Sequence, residues 1–462
     1  MTAMKKRLLL LLLALPCTYV QAQNLRSIYE LALENDPRLR EARANRDAVL
    51  ENRAQGVGRL LPSLTVHANL QRNSVLYKFK NPILTFISGG HNLDFWTSGA
   101  SVNLYQPIYH HELWAQLAQA DSQIAEAEAN FAAEQQNLIV RTAQAYFNVL
   151  LAQDTLDFAL AEQRAIDRQL AEAKERFAVG MASVTDVHEA QAGFDQARAN
   201  AIAAANELEN AKEALREIVG SYTGELDGLI ETIPLNKPRP DDIEAWSNLA
   251  LQNNLGIIAA QNNADAAKKN IDLQFAGHLP TLDLVGHAGF TDTNRPFGIR
   301  TEYQDIGMEI NVPVFAGGGV TSRVRQARHQ FEAAQERLDT QRRLIRRQVK
   351  NAFRGVATAI SQVQALKAAV VSSKSAVEAA QSGFEVGTRT MVDVLTVQRN
   401  MYRTLRDYAR TRYDYILNSL SLKQAASTLE PEDLALVNSW LSPRVRPSYR
   451  EEDRDDGDLS QR

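Results

Sequence analysis

The chain is written twice, and a sequence that repeats its parts in order has to fold as two related units before any other constraint applies. Leu31-Ala32-Leu33-Glu34-Asn35 returns as Leu249-Ala250-Leu251-Gln252-Asn253, and Leu61-Pro62-Ser63-Leu64 returns as Leu279-Pro280-Thr281-Leu282. Gln106-Pro107-Ile108-Tyr109 matches Val312-Pro313-Val314-Phe315. Phe177-Ala178-Val179-Gly180 through Ser183, Thr185 and Asp186 matches Phe384-Glu385-Val386-Gly387 through Thr390 and Asp393. The 462 residues exceed a single core, which stops growing at about 250 to 300 residues. The repeats are therefore expected at 23–220 and 241–428, with a linker over 221–240 marked by Pro234, Pro238, Pro240 and glycines, and a C-terminal segment 429–462 that is charged and predicted to be disordered from about 443.

The N-terminus runs Lys5-Lys6-Arg7, an apolar stretch Leu8 to Leu15, then Val20-Gln21-Ala22, the order of a secretory signal peptide. Cleavage is expected after Ala22, making 1–22 a leader. Cys17, the only cysteine, lies inside it, so the mature chain is expected to have neither a disulfide nor a cysteine metal site. Pro16 stands where lipoprotein processing wants a small residue. No stretch approaches the roughly 20 apolar residues of a membrane helix, so any insertion in a membrane must use something else. A formal charge of -4 lacks the basic footprint that nucleic acid needs.

Each repeat reads as helix, two strands and a very long helical hairpin. Residues 25–60 are helix-forming, interrupted at Asp36-Pro37. Period-two alternation then marks strands at about 62–76, 98–107, 280–291 and 305–314; Leu64, Val66, Ala68 and Leu70 alternate with Thr65, His67 and Asn69, for example. Such strands suit either a soluble sheet or a membrane barrel. Export and the aromatics Tyr77, Phe79, Phe86, Phe95, Trp96 and Tyr105 near strand ends favour the barrel, whose aromatic girdles lie at the interfaces. Four strands cannot close alone, since single-chain barrels begin at about eight, so the barrel must be shared between copies.

Residues 109–179 and 318–386 lack helix breakers almost entirely, which implies helices of roughly 100 Å at about 1.5 Å per residue. Leu113, Leu117, Ala120, Ile124, Ala127 and Phe131 follow coiled-coil spacing, and a plain coiled-coil rod predicts the same composition. Gly180 and Gly387 suit left-handed helix caps at the hairpin tips.

With Leu61-Pro62, Leu279-Pro280-Thr281-Leu282-Asp283-Leu284, Val312-Pro313-Val314-Phe315 and the run from Phe384 to Leu395, the chain resembles the TolC family of outer-membrane channels over about 24–441. The resemblance implies a mixed fold of membrane β-barrel plus long α-helical barrel. It implies a homotrimer with a twelve-stranded barrel in the outer membrane of a Gram-negative bacterium and a twelve-helix tube in the periplasm. It further implies a periplasmic adaptor (membrane fusion protein), an inner-membrane pump or ABC transporter, outer-membrane lipid and exported drugs or proteins as partners, in efflux and type I secretion. The competing reading is a periplasmic coiled-coil adaptor or scaffold, which normally supplies one hairpin and no paired strands. No phosphate loop, nucleophile elbow or metalloprotease helix is found, so no enzyme activity, cofactor or resident metal is expected.

Asp186 and Asp393 carry two readings. Ser183 with Asp186 and Thr390 with Asp393 have capping-box spacing. The resemblance implies in addition that Asp393 faces the pore at the periplasmic tip as an acidic ring, with Arg389 tying neighbouring hairpins shut through Thr185 and Asp186. Thr396 stands where relatives often carry a second acid, implying weaker cation block unless Glu189 compensates. Phe384 stands where relatives commonly have Tyr, so a hydroxyl contact is missing. The basic run Arg337, Arg342, Arg343, Arg346, Arg347 and Lys350 reads as a solvated or ion-paired surface, and adjacent His110, His111 and Glu112 point apart on a helix and do not make a metal site.

Overall fold

The computed structural model describes residues 23–77, 80, 83, 91–222, 224–294 and 298–443. The expected leader with Cys17, the tail from 444, Phe79, Phe86 and the side chain of Tyr77 lie outside what is described. In chain order the elements are α1 (Leu25–Asn35), α2 (Pro37–Gly58), β1 (Ser63–Tyr77), β2 (His91–Tyr109), α3 (His111–Ala178), α4 (Val184–Val219), β3 (Gly228–Leu229), α5 (Ile243–Asn253), α6 (Leu255–Phe275), a 3-10 turn Ala276–His278, β4 (Thr281–Thr293), β5 (Ile299–Asn311), α7 (Gly319–Glu385), α8 (Met391–Ala425), α9 (Pro431–Asn438) and β6 (Leu441–Ser442).

Helix α1 stops at Asp36, whose extended ψ of 119° breaks the run, and α2 restarts at Pro37, where a missing N–H costs nothing. The Asp36 carboxylate then takes the Leu39 N–H at 2.7 Å. The second repeat restarts in the same way, with the Asn254 side chain accepting from Gly256 and Ile257 at 3.0 and 3.2 Å. A short polar side chain at the break satisfies helical N–H groups that would otherwise be left unpaired.

The chain divides into two units. One holds residues up to Arg40, Glu134–Gln252 and the chain from Arg346. Its core is built on Tyr146 and Phe147, both nearly inaccessible, with Tyr413 stacked 5.5 Å from Phe147. The segment 221–240 is tied to this core. The Tyr146 hydroxyl donates to the Asp227 carbonyl at 2.8 Å, the Asn236 N–H donates to the Tyr415 hydroxyl at 2.9 Å, and β3 pairs with β6. Arg141 grips Asp36 through two nitrogens at 3.1 and 3.2 Å and reaches Glu134 at 2.7 Å, so the buried Asp36 charge is paired.

The other unit holds Glu41–Ala133 and Asn253–Ile345. It carries a four-stranded antiparallel sheet in the order β1-β2-β4-β5, so the two repeats meet at the β2–β4 pair and β1 and β5 are edges. The register sorts the faces. Leu64, Leu104, Gly286 and Ile306 lie side by side, while Thr65, Asn103, His287 and Asp305 line up on the opposite face. Among the described residues nothing covers the apolar face: Val66 is 75 % exposed and Ile306 73 %. Strand β5 runs Ile299–Asn311, earlier at both ends than the expected 305–314: it starts early because its pairing with β4 extends to Thr293 opposite Ile299, and it ends before Pro313, which has no N–H for the ladder. In the first repeat β2 runs on to Tyr109, and the register shifts between Pro107 and Tyr109. Of the aromatics expected in a girdle, Phe95 is instead buried, whereas Trp96 and Tyr105 are exposed.

The long helices α3 and α7 have 68 and 67 residues, about 100 Å each at about 1.5 Å per residue. Their partners across the tip, α4 and α8, have 36 and 35. Among the described residues no helix is long and apolar enough to cross a membrane.

Candidate functional site

Both tips are built from the same local chemistry. Gly180 and Gly387 take φ of +76° and +77°, which only glycine adopts without strain. Around Gly180 the Met181 N–H reaches the Arg176 carbonyl at 2.8 Å and the Gly180 N–H reaches Phe177 at 3.0 Å. Around Gly387 the Thr388 N–H reaches Gly383 at 2.8 Å and the Gly387 N–H reaches Phe384 at 3.1 Å. These paired bonds close each long helix and leave the next free to start.

The next helices start with reciprocal caps. Asp186 N–H donates to Ser183 Oγ at 3.2 Å, and Asp186 Oδ2 accepts from the Ser183 N–H at 3.0 Å and its hydroxyl at 3.1 Å. Asp393 and Thr390 repeat the pattern at 3.3, 2.9 and 2.8 Å. In each cap the carboxylate hydrogen bonds fall on Oδ2. The Thr390 hydrogen bonds, with a smaller contribution from the Arg389 charge, hold the Asp393 carboxyl below its ordinary value.

The packing behind the tips is unequal. Met391 and Leu395, at the start of α8, sit in a cluster with Ile166, Leu170, Ala173, Ala190 and Ala197 of the first hairpin, and Phe384 packs against it. A side chain at Gly193 would press on Leu395 at 3.3 Å, so a small residue there lets α8 approach α4. Thr185, Gly180, Gly387 and Arg389 are exposed, as is Thr396; Glu189 is half-buried. The Arg389 N–H donates to the Gly383 carbonyl at 3.1 Å, and among the described residues no hydrogen bond or ion pair joins Arg389 to Thr185 or Asp186 of its own chain. A Cβ on Gly383 would lie 2.7 Å from Arg389 Cγ.

Two contributions were not singled out in the sequence. Arg176 lies over the Phe384 ring, 5.1 Å from its centroid, and pairs with Glu172 at 2.7 Å. Aligning the two tip motifs places Arg176 opposite Gly383, which was the available signal. The second is the partner of His110: this residue, read in the sequence only as a dismissed metal candidate on a helix, precedes the first helical residue His111, and its Nε2 lies 2.7 Å from Asp283 Oδ1, joining the end of the first strand pair to the start of the second. In the basic run, Arg343 pairs with Asp339 at 2.7 Å and Lys350 with Glu244 at 2.6 Å, while Arg337, Arg342, Arg346 and Arg347 are exposed.

The family model described as outer membrane efflux protein matches residues 28–221 and 246–428. Outer membrane protein TolC of Vibrio cholerae is 38 % identical over 430 residues, covering 91 % of this chain and 94 % of that protein. The proteases secretion protein PrtF of Dickeya chrysanthemi is 29 % identical over 444 residues, covering 95 % of both. The crystal structure of the Campylobacter jejuni CmeC outer membrane channel aligns with a TM-score of 0.77 at 17 % identity, over 90 % of this chain and 89 % of that one. With the family model on both repeats and TolC alike over nearly the whole length, the chain belongs to the family of outer membrane efflux proteins.

Proposed function

We propose that the chain is the outer-membrane exit duct of efflux and type I secretion assemblies, conducting drugs or proteins passively from a periplasmic pump complex to the exterior. The observation that carries this reading is the four-stranded sheet with an uncovered apolar face and two open edges, β1 and β5. An unpaired edge in lipid leaves backbone groups without partners, so β5 of one copy pairs with β1 of the next until the barrel closes. Three copies close it at twelve strands, and their hairpins form a twelve-helix tube. Residues 1–22 are removed on export, and the repeats 23–220 and 241–428, joined by 221–240, supply equivalent staves. The adaptor, scaffold and plain-rod alternatives leave that sheet without a role.

At the tips, Asp393 forms an acidic ring, and a ring of charged side chains sets cation selectivity. Arg389, unpaired with Thr185 and Asp186 inside its own chain, meets them across the boundary between neighbouring copies and holds the gate closed. A periplasmic adaptor and an inner-membrane pump or ABC transporter supply the energy and the opening signal. The decisive experiment is reconstitution of the detergent-extracted protein in a planar bilayer, with its subunit number counted by native mass spectrometry. Discrete cation-selective currents from a trimer are expected; a non-conducting soluble protein overturns the reading.

A further inference from the structure

We infer that Arg176 is a positioning residue of the gate, locking the two hairpins of one chain together through the Phe384 ring. This rests on the gate reading above and assigns a different contact to it. The two tip motifs align residue for residue, and Arg176 falls where the second tip has Gly383, while Ala182 falls where it has Arg389. Each tip thus owns one arginine, on opposite sides of its turn. At the first tip the arginine leans across to the other hairpin, its guanidinium 5.1 Å from the Phe384 centroid. Glu172, one turn back on α3, fixes its orientation at 2.7 Å. A guanidinium over an aromatic face is attracted by the ring's negative quadrupole, and its planar fork can pair with a carboxylate at the same time.

The ring has its other contacts in the same body. Phe384 packs on the cluster formed by Ile166, Leu170, Ala173, Ala190, Ala197, Met391 and Leu395, and most of those side chains belong to the first hairpin. Swinging the second hairpin outward therefore removes the ring from the aliphatic seat and from Arg176 together. A tyrosine hydroxyl is dispensable to this contact, because the quadrupole belongs to the ring. At the second tip the arginine is turned the other way. Gly383 has no side chain, its carbonyl binds the Thr388 and Arg389 N–H groups and the Thr388 hydroxyl at 3.0 Å, and Arg389 remains exposed. The two arginines divide the work: Arg176 joins hairpins within a chain, and Arg389 joins chains.

The test is single-channel recording of Arg176→Ala, Arg176→Lys, Phe384→Leu and the Arg176→Ala/Phe384→Leu double variant, with Arg389→Ala alongside. Arg176→Ala and Phe384→Leu are each expected to raise the open population about twofold to fivefold per chain, the scale of a partly exposed cation–π contact. The double variant should rise no further than either single one, and Arg176→Lys, which keeps a cation, should fall between wild type and Arg176→Ala. If Arg389→Ala opens the channel while Arg176→Ala and Phe384→Leu leave it at wild-type currents, or if their effects multiply in the double variant, the inference fails and the gate reading stands. Unchanged currents in every variant, Arg389→Ala included, remove both.

Discussion

Met391 and Val184 hold the same place in the two copies of the tip motif, yet Met391 is fully buried and Val184 is 51 % exposed. Phe384 and Phe177 differ in the same sense, the first packed against the tip cluster and the second 47 % exposed. The turns and caps are nearly superimposable in their hydrogen bonds, so the difference does not come from local structure. It arises because α8 leans on the first hairpin of its own chain, while the outer apolar residues of the first tip, Val179 and Met181 among them, are exposed among the described residues. Duplication reproduces bonds made within a few residues; it does not reproduce the neighbour.

The most severe test of this comparison is truncation at the paired positions. Met391→Ala is expected to destabilise the protein by about 2 to 5 kcal/mol, the usual range for emptying a buried aliphatic site. Val184→Ala should stay within about 0.5 kcal/mol, as exposed substitutions do. Denaturant titration of the detergent-extracted protein measures both, and equal losses would erase the inequality.

A smaller effect is expected at Gly383. The added Cβ of Gly383→Ala displaces Arg389, so single-channel currents should rise in the same direction as in Arg389→Ala, by about twofold to fivefold per chain if an exposed ion pair is lost. Wild-type currents would mean that Arg389 does not act from its present seat.

The charge on Asp393 is tested by a separate measurement. Asp393→Asn keeps a capping oxygen and removes the charge, so the concentration of divalent cation that half-blocks the current should rise by up to about thirtyfold, the worth of about 2 kcal/mol for a divalent cation about 4 Å from one carboxylate charge in water. Because hydrogen bonding holds this carboxyl below its ordinary 3.8, its charge persists above that value and is lost only as pH falls through the lower one. Block at pH 5 should therefore match block at pH 7, and a half-loss by pH 5 would show that Asp393 is not the blocking group.

Much of the fold was legible because its signals are local. Period-two alternation marked the strands, glycine before a Ser or Thr cap marked the tips, and the near absence of helix breakers marked α3 and α7. Strand ends were less legible: the proline of the second repeat stops β5, whereas Pro107 is carried through β2 at a register shift. The dual reading of Asp186 and Asp393 resolved only in part, since capping is intrachain geometry and both side chains do cap. Arg176 was overlooked because its partner lies more than two hundred residues away, and a cation over a ring leaves no periodic mark on either segment.

The sequence by itself determined the duplication, the order of parts in each repeat, the turns and the caps, because each depends on backbone preferences and on bonds between residues a few positions apart. Tertiary structure alone decided which copy of the motif is buried, that Arg176 lies over the Phe384 ring of the other hairpin, and that the repeats meet at β2 and β4. These are choices among contacts that local energies leave equal, and only packing between distant segments separates them.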